Sequence, residues 1–253
     1  MADAQPFLTG LARALRLLPR PLAPDGLPFP SSRLIQLVAG TPDQSWFWEG
    51  GRRGAQTIDN LLEGTRDTAA PTKRALDFGC GCGRVLRHFH RIHPCTELYG
   101  SDYNPQPIRW CRRHLPFCHF SCNTLHPPIQ FPDDHFDLVY AFSVITHLSE
   151  PLQKNWLAEF RRIIRAGGFL ILSTHGDYYR EQLTPHERSC YDRGELVVRS
   201  PESAGGNRCA AFHPPAFVHD TLAPTAGFTI RIHLPEGALG NPRQDAWLLQ
   251  RAL

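Results

Sequence analysis

The chain has 253 residues, of which 42% are hydrophobic and 20% charged, and a formal net charge of +3. That length and apolar content suit one large folded domain and exclude wholesale disorder. The basic residues are scattered rather than striped, which disfavours a nucleic-acid surface, and no apolar run reaches the ~18 residues of a membrane span.

Residues 1–45 read as a lead-in or cap, with an amphipathic stretch at Leu8–Leu18 followed by five prolines between Pro19 and Pro30. Arg13 and Arg16 interrupt that stretch, which is unlike a secretory leader. The eight cysteines are therefore expected to be reduced, and the chain cytoplasmic. Cys118 and Cys122 beside His114 and His119 match no usual zinc spacing, so no metal is expected. Trp46-Phe47-Trp48 suits either a lid over a ligand or a staple for the N-terminal segment. Arg52 and Arg53 suit either a ligand carboxylate or solvent.

A regular pattern begins at Lys73. Lys73–Phe78 reads as a strand, and Arg84–His93 as a helix with Val85, Leu86, Phe89 and Ile92 on one face. Glu97–Gly100 reads as a second strand. Asn104 and Pro105 supply a cap and a first-turn proline for a second helix. Phe117–Ser121 and Phe136–Val144 are the next strands. Ser149-Glu150-Pro151 opens a helix with the stripe Leu152, Trp156, Phe160, Ile163 and Ile164, and Gly167 is the expected C-cap. Phe169–Ser173 is a fifth strand. Residues 176–213 are polar and break the rhythm, as an insertion would; Tyr178, Tyr179 and Tyr191 within it suit an acceptor pocket or simple packing. Alternation at Phe228–Leu234 and the run Asp245–Arg251 predict two closing strands. Strands alternating with helices imply a mainly parallel sheet covered on both faces.

The chemistry concentrates at Leu76-Asp77-Phe78-Gly79-Cys80-Gly81-Cys82-Gly83-Arg84, between a strand and a helix. Glycines there let the backbone approach a ligand at the carboxyl edge of the sheet. The next strand ends in Asp102, about 20 residues further on, where an acid accepts hydrogen bonds from both ribose hydroxyls. Arg84 stands where a dinucleotide fingerprint has its third glycine, which weakens a dehydrogenase reading. Asp77 is poorly placed beside a pyrophosphate and well placed for the positive charge of S-adenosylmethionine.

These residues resemble the class I S-adenosylmethionine-dependent methyltransferases. The resemblance runs from about Trp46 to Asp177. It includes Leu76–Arg84, Asp102, the approach Phe131-Pro132-Asp133-Asp134-His135-Phe136-Asp137, the run Ser143–Leu148, and the turn Arg161–Gly168, in which Ala166 replaces the commoner proline. It implies a Rossmann-like three-layer α/β sandwich whose seven-stranded, mostly parallel sheet has an antiparallel last strand. Residues 46–253 would form the methyltransferase domain. It also implies cofactor contacts by Asp77, Gly79, Cys80 and Gly81 of the glycine loop, and by Asp102 and Tyr103. Asn123 falls where an Asp often meets the adenine amino group, and Phe142 and Ser143 fall beside the methionine end.

A hydroxyl or protonated amine acceptor also needs a base. His175 follows the fifth strand and His147 the fourth, and both are candidates; His213, at the end of the insertion, is a weaker one. The expected acceptor is a small molecule or sugar-containing (glycan-type) intermediate, with oxygen favoured over nitrogen. Ala141-Phe142-Ser143-Val144 lacks the Asn-Pro-Pro-Tyr pattern of amino-methylating nucleic-acid enzymes. A non-catalytic partner or scaffold is the competing reading; a ruined glycine loop or lost ribose acid would mark it, and both are intact.

Overall fold

A computed structural model describes residues 22–65 and 72–253. The Leu8–Leu18 stretch lies outside the described residues. Two helices precede the first strand: α1 (Ser32–Ala39), capped by the Ser31 hydroxyl, and α2 (Gln44–Glu63), capped by the Asp43 carboxylate. Neither emerges from the sequence pattern. Three glycines dilute the apolar period of α2, and all three, Gly50, Gly51 and Gly54, are buried against the segment that opens the next helix. A Cβ on Gly51 would collide with the Arg84 carbonyl.

The alternating part follows as β1 (Arg74–Phe78), α3 (Leu86–Ile92), β2 (Glu97–Asp102), α4 (Pro105–His114), β3 (Cys118–Cys122), β4 (Phe136–Ala141), α5 (Glu150–Ile163) and β5 (Ile164–Thr174). Then come α6 (Pro185–Asp192), the short pair β6 (Val197–Arg199) and β7 (Ala210–Phe212), a helical run α7 at 215–225, β8 (Phe228–Leu234) and β9 (Asp245–Arg251). The main sheet has the order β3-β2-β1-β4-β5-β9-β8. Its first five strands are parallel, and β9 runs antiparallel to both neighbours. This is the expected seven-stranded Rossmann-like sheet with an antiparallel last strand.

Apolar cores cover both faces. On one, Trp156, Phe160 and Ile163 of α5 and Val218 and Leu222 of α7 pack on β1, β4, β5 and β9. On the other, Ile58 and Leu61 of α2 and Leu86 and Phe89 of α3 pack on the same strands. The N-terminal segment is fastened by a buried bidentate pair. Arg87 Nε and Nη2 donate to the two Asp25 carboxylate oxygens at 2.7 Å, with side-chain exposures of 0% and 5%.

Three local expectations are corrected. The fourth strand stops at Ala141 rather than Val144, because Ser143 turns left-handed (φ 57) and leads into a 3₁₀ turn at Ile145–His147. Helix α5 ends at Ile163, and Ile164 already belongs to β5; Gly167 (φ 72) lies within that strand at the register shift opposite Phe136 and Leu138, not at a helix C-cap. Helix α3 begins at Leu86, which leaves Arg84 outside the helix.

Candidate active site

A cavity of about 530 Å³ opens at the carboxyl ends of β1, β2, β4 and β5, the edge where open α/β sheets bind ligands. Nine of the ten site residues expected from sequence line it: Asp77, Gly79, Cys80, Asp102, Tyr103, Asn123, Phe142, His147 and His175. Gly81 does not. Its N–H instead donates to Asp102 Oδ2 at 2.9 Å, and Val38 of α1 closes on its α-carbon. Gly79 is left-handed (φ 76), and a Cβ there would run into Val144.

The two acids differ in their surroundings. Asp102 Oδ1 accepts the Asn104 N–H at 2.8 Å and Oδ2 that of Gly81, so both oxygens are aimed and each keeps a lone pair. Burial raises its carboxyl pKa, against these two N–H bonds. Asp77 is deeper. Burial pushes its carboxyl up to about 8, with Arg84 pulling it down and Asp102 raising it further. Asn123 has its Oδ1 engaged by the Ser101 hydroxyl at 2.7 Å, while its Nδ2 donates to the Thr124 carbonyl at 2.7 Å. One lone pair remains on Oδ1.

Arg84 is the site residue that sequence reasoning missed as a ligand contact. It is buried and lines the cavity. Nη1 donates to Gly240 O at 3.1 Å, Nη2 donates to Asn241 Oδ1 at 2.8 Å, and the guanidinium lies 5.0 Å from the Trp46 ring centre. Asp77 acts on it through space; burial pushes its pKa down to about 10. Among the described residues lining the cavity it is the single Arg or Lys. The available signal was a cation following directly on the glycines. Arg52 and Arg53 are instead exposed and pair with Glu49. The three aromatics divide: Trp46 lines the cavity, Phe47 is in the core, and Trp48 packs on His88 with ring centres 4.3 Å apart.

Ser143 sits in its left-handed turn within a closed ring of hydrogen bonds. Its N–H donates to Ser173 Oγ at 2.7 Å, the Ser173 hydroxyl to Gln244 Oε1 at 2.7 Å, and Gln244 Nε2 back to Ser143 Oγ at 2.9 Å. Such a backbone costs about 1–3 kcal/mol and persists only when its surroundings fix it.

The insertion roofs the cavity. Gly205, Gly206 and Asn207 line it. The Tyr103 hydroxyl donates to Gly205 O at 2.6 Å, and the Gly205 N–H donates to His147 O at 2.7 Å. Tyr178, Tyr179 and Tyr191 are absent from the lining; Tyr179 donates to Pro242 O, and Tyr191 is buried and donates to Asp177 and His213 O. His213 is fully buried on Gln153, away from the lining. Burial holds the Cys80 thiol well above its usual range, which makes it a poor nucleophile.

Residues 75–168 match the family model described as a methyltransferase domain. These residues carry a methyltransferase domain of the class I, S-adenosylmethionine-dependent kind. The chain is similar to an uncharacterized methyltransferase of Schizosaccharomyces pombe, 26% identical over 39% of this chain and 38% of that protein. It is also similar to a fatty-acid O-methyltransferase of Mycolicibacterium smegmatis, 31% identical over 39% of this chain and 36% of that one. The match thus spans little over a third of either curated relative. Among solved structures, a 1,6-didemethyltoxoflavin-N1-methyltransferase of Burkholderia thailandensis shares the fold. It is 17% identical with a TM-score of 0.58, over 100% of this chain and 93% of that one. S-adenosylmethionine is the cofactor of this methyltransferase domain, and the cavity suits it: a deep acid beside a buried cation for an amino-acid end, and an aimed carboxylate for a diol.

Proposed function

We propose that this chain transfers a methyl group from S-adenosylmethionine to a small-molecule or glycan-type acceptor rather than a nucleic acid, with oxygen favoured over nitrogen. In this reading Asp77 holds the cofactor's amino group and Arg84 its carboxylate. Asp102 takes the ribose hydroxyls, and Asn123 the adenine amino group through its remaining lone pair. Gly79, Cys80, Tyr103 and Phe142 shape the walls, and Gly81 serves indirectly by aiming Asp102. His175 and His147 take the acceptor's proton. The cofactor supplies an activated methyl; the protein's work is position and a shaped field. Residues 46–253 form the catalytic domain in this proposal, with 1–45 as its cap and 176–213 as its insertion, in the reducing cytoplasm. Among the described residues no helix is long and apolar enough to cross a membrane.

The observation that carries the reading is a single cavity lined both by Asp77 and Asp102 and by the two histidines. Calorimetric titration with S-adenosylhomocysteine tests it. Micromolar binding is expected in the wild type, lost in Asp102→Ala with the circular dichroism unchanged. A folded wild type that binds no S-adenosylhomocysteine refutes it.

A further inference from the structure

Strand β7 of the insertion lies against the ends of β5 and of the 3₁₀ turn that carries His147. Phe212 pairs with His175 as a parallel bridge, and the His213 N–H donates to His175 O at 2.8 Å. The carbonyls of Cys209 and Ala211 are two residues apart, so along an extended chain they face the same edge. The Cys209 carbonyl lies 2.8 Å from Nδ1 of His147, and the Ala211 carbonyl 3.1 Å from Nδ1 of His175. A carbonyl only accepts. Both Nδ1 atoms therefore carry hydrogen, and in a neutral imidazole that leaves the lone pair on Nε2.

Both rings line the cavity, and no protein group among the described residues bonds to either Nε2. One stretch of main chain, Cys209 and the strand β7 that follows it, thus holds both rings at the cavity with a lone pair on each Nε2. We propose that this pair selects an acceptor that arrives with its proton, an O–H or N–H group, and rejects a carboxylate. This rests on the methyl-transfer reading above and narrows its substrate class.

The chemistry balances without a further reagent. The acceptor oxygen or nitrogen forms the bond to the methyl carbon, the electron pair of the broken carbon–sulfur bond stays on sulfur, and the acceptor's proton passes to an Nε2. The resulting imidazolium then loses that proton to water. Burial, opposed by the Ala211 carbonyl and aided by neighbouring His147, holds His175 down at about 4, so it faces the acceptor unprotonated at neutral pH. A carboxylate brings no proton and sets negative charge against two lone pairs. The single cation lining the cavity among the described residues, Arg84, is in this reading taken by the cofactor's own carboxylate and is not left for a second one.

The test is histidine ¹⁵N spectroscopy on the full chain, free and saturated with S-adenosylhomocysteine, with resonances assigned through His147→Gln and His175→Gln. Both histidines are expected as the Nδ1–H tautomer at pH 7. Saturating phenol should shift their Nε2 resonances, and octanoate at the same concentration should leave them unmoved. An Nε2–H tautomer at either histidine, octanoate shifting the pair, or phenol shifting neither would each overturn the proposal. The heat of S-adenosylhomocysteine binding reports the cofactor reading separately, and the tautomers remain readable in the free chain if that reading fails.

Discussion

Asp77 ties the site to pH. An ordinary aspartate loses its proton near 3.8, whereas in the folded, cofactor-free chain burial keeps it on up to about 8. Between those values the folded chain binds more protons than the unfolded one, so this group's contribution is full below about pH 4 and is lost as pH rises through 8. A cationic ligand reverses the preference, because it favours the carboxylate. Affinity for S-adenosylhomocysteine, whose amino group carries that charge, is therefore expected to climb by up to tenfold per unit from pH 6 and to level off above about 8. Asp77→Asn should weaken binding and flatten the slope; calorimetry across pH 6–9 reads both. Asp77 and Asp102 were legible because a glycine loop and a strand end announce them. Arg84 was not, since its importance lies in what it lacks: in the fold it is buried with carbonyl and amide partners rather than a bonded acid.

At the scale of elements, the segment before α1 is held by Asp25. Removing it leaves the Arg87 guanidinium buried without its bidentate partner, which costs about 3–5 kcal/mol where such pairs have been broken. Asp25→Ala is expected to lose stability of that order in urea, whereas truncating the exposed Glu49, paired with Arg52 at the surface, should leave the urea midpoint almost unchanged. The strands were readable because β4 and β5 are nearly unbroken apolar runs bounded by turn residues. Helices α1 and α2 were hidden for the opposite reason. The contact of α2 with the segment opening α3 is made by glycines, whose value is closeness of backbone rather than apolar periodicity. The end of β4 was misplaced because Ser143 is locally an ordinary strand residue; what turns it is the Ser173–Gln244 ring, which comes from distant parts of the chain.

For the whole molecule, the cavity joins parts that are otherwise far apart in the chain. α1, the glycine loop, the ends of β2, β4 and β5, the insertion and the turn before β9 all contribute lining residues. A ligand bound there links both faces of the sheet to the roof. At 100 times its dissociation constant, a ligand that binds only the folded state adds about 2.7 kcal/mol. For a chain of this size that raises Tm by roughly 5–10 °C. S-adenosylhomocysteine should produce that shift in a thermal scan, and Asp102→Ala should erase it. The mainly parallel sheet followed from strand–helix alternation, and its seven strands with an antiparallel last one from the family resemblance; the strand order was not read from the sequence. Nor was the roof, because residues 176–213 have no period to read and acquire their form from what they cover.

The grip on the two histidines comes from peptide oxygens, and this sets which changes it tolerates. The side chains of Cys209 and Ala211 are buried and take no part in that grip, so a substitution that fits their space leaves the holding oxygens in place. Adding or deleting one residue there is different, since an extended chain turns its carbonyls over at every step. Such a change would face Cys209 and Ala211 away from both rings together. Connecting segments commonly tolerate a change of length; at 209–211 the register of the chain is what holds the rings, and a change of length is the one change it does not tolerate.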